Sequence, residues 1–357
     1  MSVQLRVVLD QAAQVVDPDQ ARAAMALTAG LVATAPRGCL VSALVPSGGS
    51  VGVRGVHDVR TLPLGRRELA ASWQLGMAPG VGGGLIHAPS LMAPLVRHDR
   101  LHDNDQITIT VWDLKAWETP DALPKANVVW QRAMLKRAAK HADAVVVPSH
   151  AMAERLAGIA SFGDRIRVIA GAAPEGFRPP EDADHRRAEL QLPARYVVVT
   201  GEGDALAEGF RAAARADVDV VMVDAADGAE PALADAASAA GLPERRAHIR
   251  GALDDADRAA VIGGAGAVVA ASAVSTWPWR AIEAMALGVP LVAVDSGVHR
   301  DVLADGGALV TVEELGDALE DALGDGARRL SVLGSDRSRA FSWASSAERV
   351  WALHADL

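Results

Sequence analysis

The 357 residues carry a formal net charge of −10, half are apolar, and one is cysteine. That length fits two domains of ordinary size better than one, and the acidic balance argues against nucleic acid or an anionic membrane as partner. A single cysteine, Cys39, excludes an internal disulfide or a cysteine-based zinc site, as expected of a cytoplasmic protein.

The first ten residues hold one Arg and read directly as a strand, Leu5-Arg6-Val7-Val8-Leu9, with no signal-peptide pattern. Further strands follow at Cys39 to Val45, Gly84 to His87, Ile107 to Val111 and Ala144 to Val147. Their runs are apolar on both faces, as in buried parallel sheets. The spacing predicts a helix over 128–142, with Trp130, Met134, Ala138 and Ala142 on one face. Pro148-Ser149 closes a strand and caps a helix starting at His150. From 171 to 194 glycines, prolines and charges cluster, which reads as an interdomain linker. A second series has strands at Tyr196 to Thr200, Val218 to Val223, Ala267 to Ala270 and Pro290 to Val294, and an amphipathic helix from Trp343 to Leu357 closes the chain. The longest membrane candidate, Val261 to Val274, falls short of the roughly 18 residues a span needs. The expected layout is therefore an α/β domain over 1–175, a linker over 176–194, a second α/β domain over 195–340 and a terminal helix over 341–357. Ligands are expected in a cleft between the two domains.

Gly201-Glu202-Gly203 lies between a strand and a helix, with Asp224 ending the next strand, which invites a dinucleotide reading. Leu206 occupies the third glycine position and would crowd helix against strand, so a tight turn is the simpler reading. The Asp-x-Asp pairs at 17/19, 103/105, 182/184, 217/219 and 255/257 fit chance in an acidic chain, and Asp254 and Asp255 fit helix capping. His98 and His102 stand four apart in a polar run that reads as an exposed loop, and no metal site is expected. More informative is Trp277-Pro278-Trp279-Arg280-Ala281-Ile282-Glu283, a loop entering a short helix that carries a carboxylate, followed by Gly288-Val289-Pro290 and a strand. A helix start beside strand ends suits a phosphate. Glu283 is placed to accept from ribose hydroxyls or, equally, is a surface acid.

The run Glu283-Ala284-Met285-Ala286-Leu287-Gly288-Val289-Pro290-Leu291 resembles the donor-site segment of glycosyltransferase family 4, the group 1 glycosyl transferases. Ala142 to Ser149, Arg165 to Ile169, Gly306 to Val310 and Phe341-Ser342-Trp343 are similar to other family segments in order and spacing. The resemblance implies a GT-B fold: two Rossmann-like parallel-sheet domains facing each other across a cleft, the terminal helix crossing back to the first. It implies a retaining transferase with a UDP- or GDP-sugar as co-substrate, no cofactor, no metal, and an acceptor held by the first domain. At the donor it places Glu283, Arg280, Ala284, Gly201 and Ser275; Trp112, Asp113 and Arg280 are the candidates for the reacting centre.

This chain departs from the family pattern at several of those positions. Its first glycine is Gly30, so the glycines of the family's first β-α loop are missing. Trp112-Asp113 stands for the family's His-Asp. No Arg or Lys lies between Tyr196 and Phe210, where the family neutralises a diphosphate; Glu202, Asp204 and Glu208 stand there instead. Ser275 replaces the glutamate eight residues before Glu283. Fixed cations at a leaving diphosphate are worth several kcal/mol of barrier, and Arg280 is the one substitute. Two functions follow: a retaining transferase with a remodelled donor site, or a catalytically silent homologue that serves as binding or scaffold subunit, paired with an active glycosyltransferase. A nucleotide-sugar epimerase shares the two-domain plan. Trp73, Trp112, Trp117, Trp277 and Trp279, if exposed, suit a sugar platform or a protein interface; otherwise they are core.

Overall fold

The computed structural model describes residues 3–99 and 102–357; Arg100, within the polar run read as a loop, lies outside them. The chain divides into two compact units. One comprises the residues up to Gly171 together with Ser275–Trp277 and Phe341–Leu357, the other Ala172–Val274 and Pro278–Ala340.

The first unit has strands β1 (Val3–Val8), β2 (Cys39–Val45), β3 (Asp58–Thr61), β4 (Leu85–Ala88), β5 (Gln106–Thr110), β6 (Ala144–Val147) and β7 (Ile166–Val168). They form a parallel sheet in the order β3-β2-β1-β4-β5-β6-β7. Its helices are α1 (Pro18–Ala33), α2 (Arg66–Gln74), α3 (Lys115–Glu118), α4 (Lys125–His141) and α5 (His150–Ile159). The central strands are the apolar runs of the sequence, buried on both faces. β3 escapes that pattern because all four of its residues are exposed at the sheet edge. Helix α4 buries Met134 and Ala138 as its periodicity predicts. Ser149 caps α5 by accepting from Met152 N at 3.2 Å.

The second unit has β8 (Tyr196–Thr200), β9 (Asp219–Met222), β10 (Ala247–Ile249), β11 (Val268–Ala270), β12 (Leu291–Val294) and β13 (Ala308–Val310), parallel in the order β10-β9-β8-β11-β12-β13. Its helices are α6 (Ala183–Glu189), α7 (Gly203–Arg215), α8 (Glu230–Ala239), α9 (Asp255–Gly263), α10 (Trp279–Ala286), α11 (Gly297–Leu303), α12 (Leu315–Leu323) and α13 (Ala327–Ser338). One apolar core runs from Val197, Val199 and Phe210 through Val269 and Val292 to Leu319 and Leu330. Part of the stretch read as a linker forms α6 and packs on α9, where Arg187 Nη1 donates to the Ala260 carbonyl at 3.1 Å.

The last helix, α14 (Trp343–Asp356), belongs to the first unit and lies on α1. Gly30 makes the approach possible, since a Cβ there would stand 2.7 Å from the Trp343 carbonyl oxygen. Trp351 Nε1 donates to the Leu31 carbonyl at 3.1 Å, and Ser346 Oγ to that of Ala170 at 2.7 Å. The helix then reaches a polar network inside the unit. His354 Nδ1 lies 2.8 Å from Gln106 Oε1 and its Nε2 3.1 Å from Thr108 Oγ1, whose hydroxyl also meets His87 Nδ1 at 2.7 Å. Because Gln106 Oε1 takes the Nδ1 proton of His354, the Nε2 of that ring accepts from the Thr108 hydroxyl, which in turn accepts from His87 Nδ1; protonation of His354 at Nε2 would remove that acceptor. Among the described residues, no helix is long and apolar enough to cross a membrane.

Burial holds the His87 imidazole down at about 3, reinforced by His354. Burial likewise holds His354 down at about 4, opposed by Asp143. Unfolded imidazoles take up protons below about pH 6.5, whereas the buried pair resists until near pH 4. The docking of α14 therefore contributes its full stability above pH 6.5 and loses it as the pH falls toward 4. Thermal midpoints recorded between pH 7.5 and 4.5 should drop across this window. His354→Gln should drop less steeply than the parent, and an identical slope would show that the pair does not carry the effect.

Candidate functional site

In the second sheet the strand order reverses between β8 and β11, the position where open parallel sheets place ligands beyond their carboxyl ends. Gly201 leaves β8 there, and a Cβ on it would touch Ala271 Cβ and Leu206 Cα, each at 3.4 Å. Gly203, the first residue of α7, has φ +55°, a left-handed conformation that glycine adopts without strain. Leu206 does not crowd the fold: it is buried in the core, and the close approach of helix to strand falls one turn later. At Gly209 a Cβ would stand 2.5 Å from Val199 Cγ1.

Beyond β11 the chain enters α10, which carries Arg280 and Glu283 one turn apart. Gly288 ends it with φ +67°, and the Val289 amide closes back on the Ala284 carbonyl at 2.9 Å, a left-handed helix stop that turns the chain into β12. Glu283 is buried at 3% exposure, so the surface-acid reading is set aside. Its carboxylate receives Arg258 Nε at 3.0 and 3.2 Å and lies 2.7 Å from Arg280 Nη1. Arg280 Nη1 also lies 3.1 Å from Asp224 Oδ2. Asp224 follows β9 in a left-handed conformation, φ +56°, and its Oδ1 accepts from Leu253 N at 3.2 Å.

Arg258 has no exposed surface and was not singled out by its sequence. Besides Glu283 it meets Asp255 Oδ1 at 2.7 Å, and its guanidinium lies over the Phe177 ring at 5.6 Å. The only local signal was a single basic residue after Asp254-Asp255-Ala256-Asp257, at the head of the apolar stretch Ala259-Ala260-Val261-Ile262. Asp254 caps the same helix, accepting from Asp257 N at 2.7 Å. Ala284 is fully buried within α10 and shows no side-chain surface to a ligand. Of the acids in the first strand-helix segment, Glu208 is matched by Arg211, whose hydrogen bond holds its carboxyl below the usual range.

Trp112, Asp113 and Ser275 belong to the first unit. Trp112 is buried, donates from Nε1 to the Pro89 carbonyl at 2.9 Å and meets Trp343 edge-to-face. Asp113 accepts from Lys115 N at 3.1 Å and from Gln20 Nε2 at 3.3 Å, and pairs its backbone with Thr276. Ser275 donates its amide and its hydroxyl to Glu118, at 2.7 and 2.9 Å, and Glu118 also receives Arg155 Nε at 2.7 Å. A carboxylate thus lies against Ser275, supplied by Glu118. In place of loop glycines after β1, the Gln11 side chain takes the amides of Val16 and Asp17 at 2.7 and 2.8 Å.

Trp73, Trp112 and Trp277 are buried, so only Trp117 and Trp279, both half-buried, remain of the proposed aromatic platform. The His98 ring is not part of an exposed loop; it meets Asp143 at 2.8 Å and the Val96 carbonyl at 3.0 Å, and the Asp143 hydrogen bond raises its pKa. Among the described residues no group of three His, Cys, Asp or Glu is placed to hold a metal ion.

Residues 193–325 match the family described as Glycosyl transferases group 1. No curated protein matches the sequence. Among solved structures, 99% of the chain is similar to 98% of sucrose-phosphate synthase from Thermosynechococcus elongatus, at 20% identity and TM-score 0.68. Likewise 99% is similar to all of HepE from Anabaena in complex with UDP and glucose, at 16% identity and TM-score 0.68. WaaG, a glycosyltransferase involved in lipopolysaccharide biosynthesis, is similar over 97% of this chain and 98% of its own, at 12% identity and TM-score 0.64. The architecture, two parallel sheets with flanking helices, is that of the GT-B structures.

Removing one member of a buried ion network leaves an unmatched charge, at a cost of about 3–5 kcal/mol. Arg258→Met should lower unfolding free energy by about that amount in chemical denaturation. Arg300→Ala, at an exposed pair with Asp295, should leave the curve where it was. Equal effects of the two would show that the network is not a stabilising unit.

Proposed function

We propose that this chain, a member of the group 1 glycosyl transferases, binds a nucleotide-sugar donor on its second unit and transfers the sugar with retention of anomeric configuration. The observation that carries the reading is the family match across that unit, 193–325, which contains the loop at Gly201 and the helix bearing Glu283. Glu283 is the acid we assign to the ribose hydroxyls. Two arginines fix the direction of its carboxylate, a condition for accepting from a paired diol. Arg280 serves as its positioning residue and as the cation nearest the diphosphate. In the transfer, the bond from sugar C1 to the phosphate oxygen breaks and the acceptor hydroxyl oxygen takes its place on the same face. The acceptor proton goes to the departing diphosphate, so no protein base is required. UDP is the first nucleotide to test, because HepE, similar along its whole length, was solved with UDP and with UDP-glucose.

A second reading is favoured by one observation. Arg280 is engaged by Asp224 and Glu283, and no Arg or Lys lies between Tyr196 and Phe210, so charge neutralisation at a diphosphate is weak. On that reading the chain is a silent homologue acting as a binding or scaffold subunit.

Calorimetric titration with UDP, GDP and ADP separates the two. The transferase reading expects micromolar affinity for one nucleotide, at least ten-fold weaker in Arg280→Ala, and UDP release when a sugar nucleotide and an acceptor are supplied. Absence of binding at millimolar nucleotide would leave the scaffold reading and overturn the transferase for the isolated chain.

A further inference from the structure

The first sheet also reverses, between β1 and β4, and its carboxyl edge at that point is polar. Asp10 lies two residues beyond β1 and Ser90 two residues beyond β4; both are buried. Ser90 Oγ donates to Asp10 Oδ1 at 3.1 Å, across the reversal, while it accepts from Met92 N at 3.1 Å. The other carboxylate oxygen, Oδ2, accepts from Arg66 Nε at 3.0 Å. Asp10 is thereby fixed from both sides at 3% exposure.

Arg66 is the first residue of α2, with a side chain 23% exposed. Among the described residues Asp10 is its one hydrogen-bond partner, and the contact uses Nε alone. The two terminal amino groups of the guanidinium, with four N–H donors, keep no protein acceptor and remain partly open to solvent. A merely structural ion pair would need no such arrangement, for a lysine would tie α2 to β1 equally well. A buried carboxylate that takes only the Nε end instead aims a rigid planar fork, and such a fork matches a pair of oxyanion oxygens.

We propose that Arg66, oriented by Asp10 and Ser90, binds an anionic group, a carboxylate or a phosphate, carried by the sugar acceptor. The inference rests on the transferase reading for the word acceptor, but the anion site itself does not depend on donor binding.

Three probes test it on the full chain without nucleotide: glucose, glucuronate and glucose 6-phosphate, followed by calorimetry. At least one anionic sugar should bind while glucose does not, and the two anions distinguish carboxylate from phosphate. Arg66→Gln should weaken that binding about ten-fold or more while leaving affinity for UDP unchanged, and the thermal midpoint should fall as well because the buried Asp10 loses its matching charge. Arg66→Lys keeps the charge and loses the fork, so it should also weaken binding; it decides the matter if the glutamine variant folds poorly. Anionic sugars that bind no better than glucose, or that bind Arg66→Lys as tightly as the parent, would overturn the proposal. A chain that binds the anion and no nucleotide would retain this site while losing the donor reading.

Discussion

The buried contact between Arg258 and Glu283 governs the second unit. A guanidinium without exposed surface has lost its water and must be matched in place, or the charge costs several kcal/mol. Glu283 supplies the match from α10, Asp255 from the first turn of α9, and the Phe177 ring covers the guanidinium. Arg280 then extends the network to Asp224 at the end of β9, whose other oxygen holds the Leu253 amide. Two helices and two connections are thus set relative to one another by a few charged atoms, and these segments surround the carboxyl edge where a ligand would lie.

This arrangement gives one carboxylate two demands. Glu283 is both the keystone of an ion network and the acid that the family resemblance assigns to a ribose. Its carboxylate and that of Asp224 engage Arg280 in turn, which draws that arginine away from service as a simple counter-charge. The first unit solves its own internal polarity differently. His87, Thr108, His354 and Gln106 form a chain of neutral donors and acceptors inside an apolar unit, which fixes α14 without a buried charge. Neutral networks of this kind hold only while the imidazoles stay unprotonated.

Much of the fold could be read locally. The central strands announce themselves as β-branched runs, and Ser149 and Asp254 behave as the helix caps their positions imply. Gly288 ends α10 as the Gly-Val-Pro sequence suggests, because a left-handed stop needs glycine. Edge strands were not legible: β3 is Asp-Val-Arg-Thr, exposed throughout, and is a strand only because β2 offers it hydrogen bonds. The concern over Leu206 failed for a related reason. Where helix and strand touch is set by packing, and the close approach falls at Gly209, against Val199, rather than at residue 206.

By itself the sequence determined the alternation of strand and helix, the two-part plan and the candidate donor helix, since each rests on patterns within some twenty residues. Tertiary structure alone decided the partners. Arg258 and Glu283 are 25 residues apart, Glu118 and Ser275 157, Thr108 and His354 246. It also decided that Trp73, Trp112 and Trp277 are core and that Asp10 holds Arg66 by one nitrogen. Hydrogen bonds and ion pairs reach about 3 Å, so they form only where packing brings distant elements into one particular register. No local periodicity carries that register, because it is set by the volumes of all the side chains between.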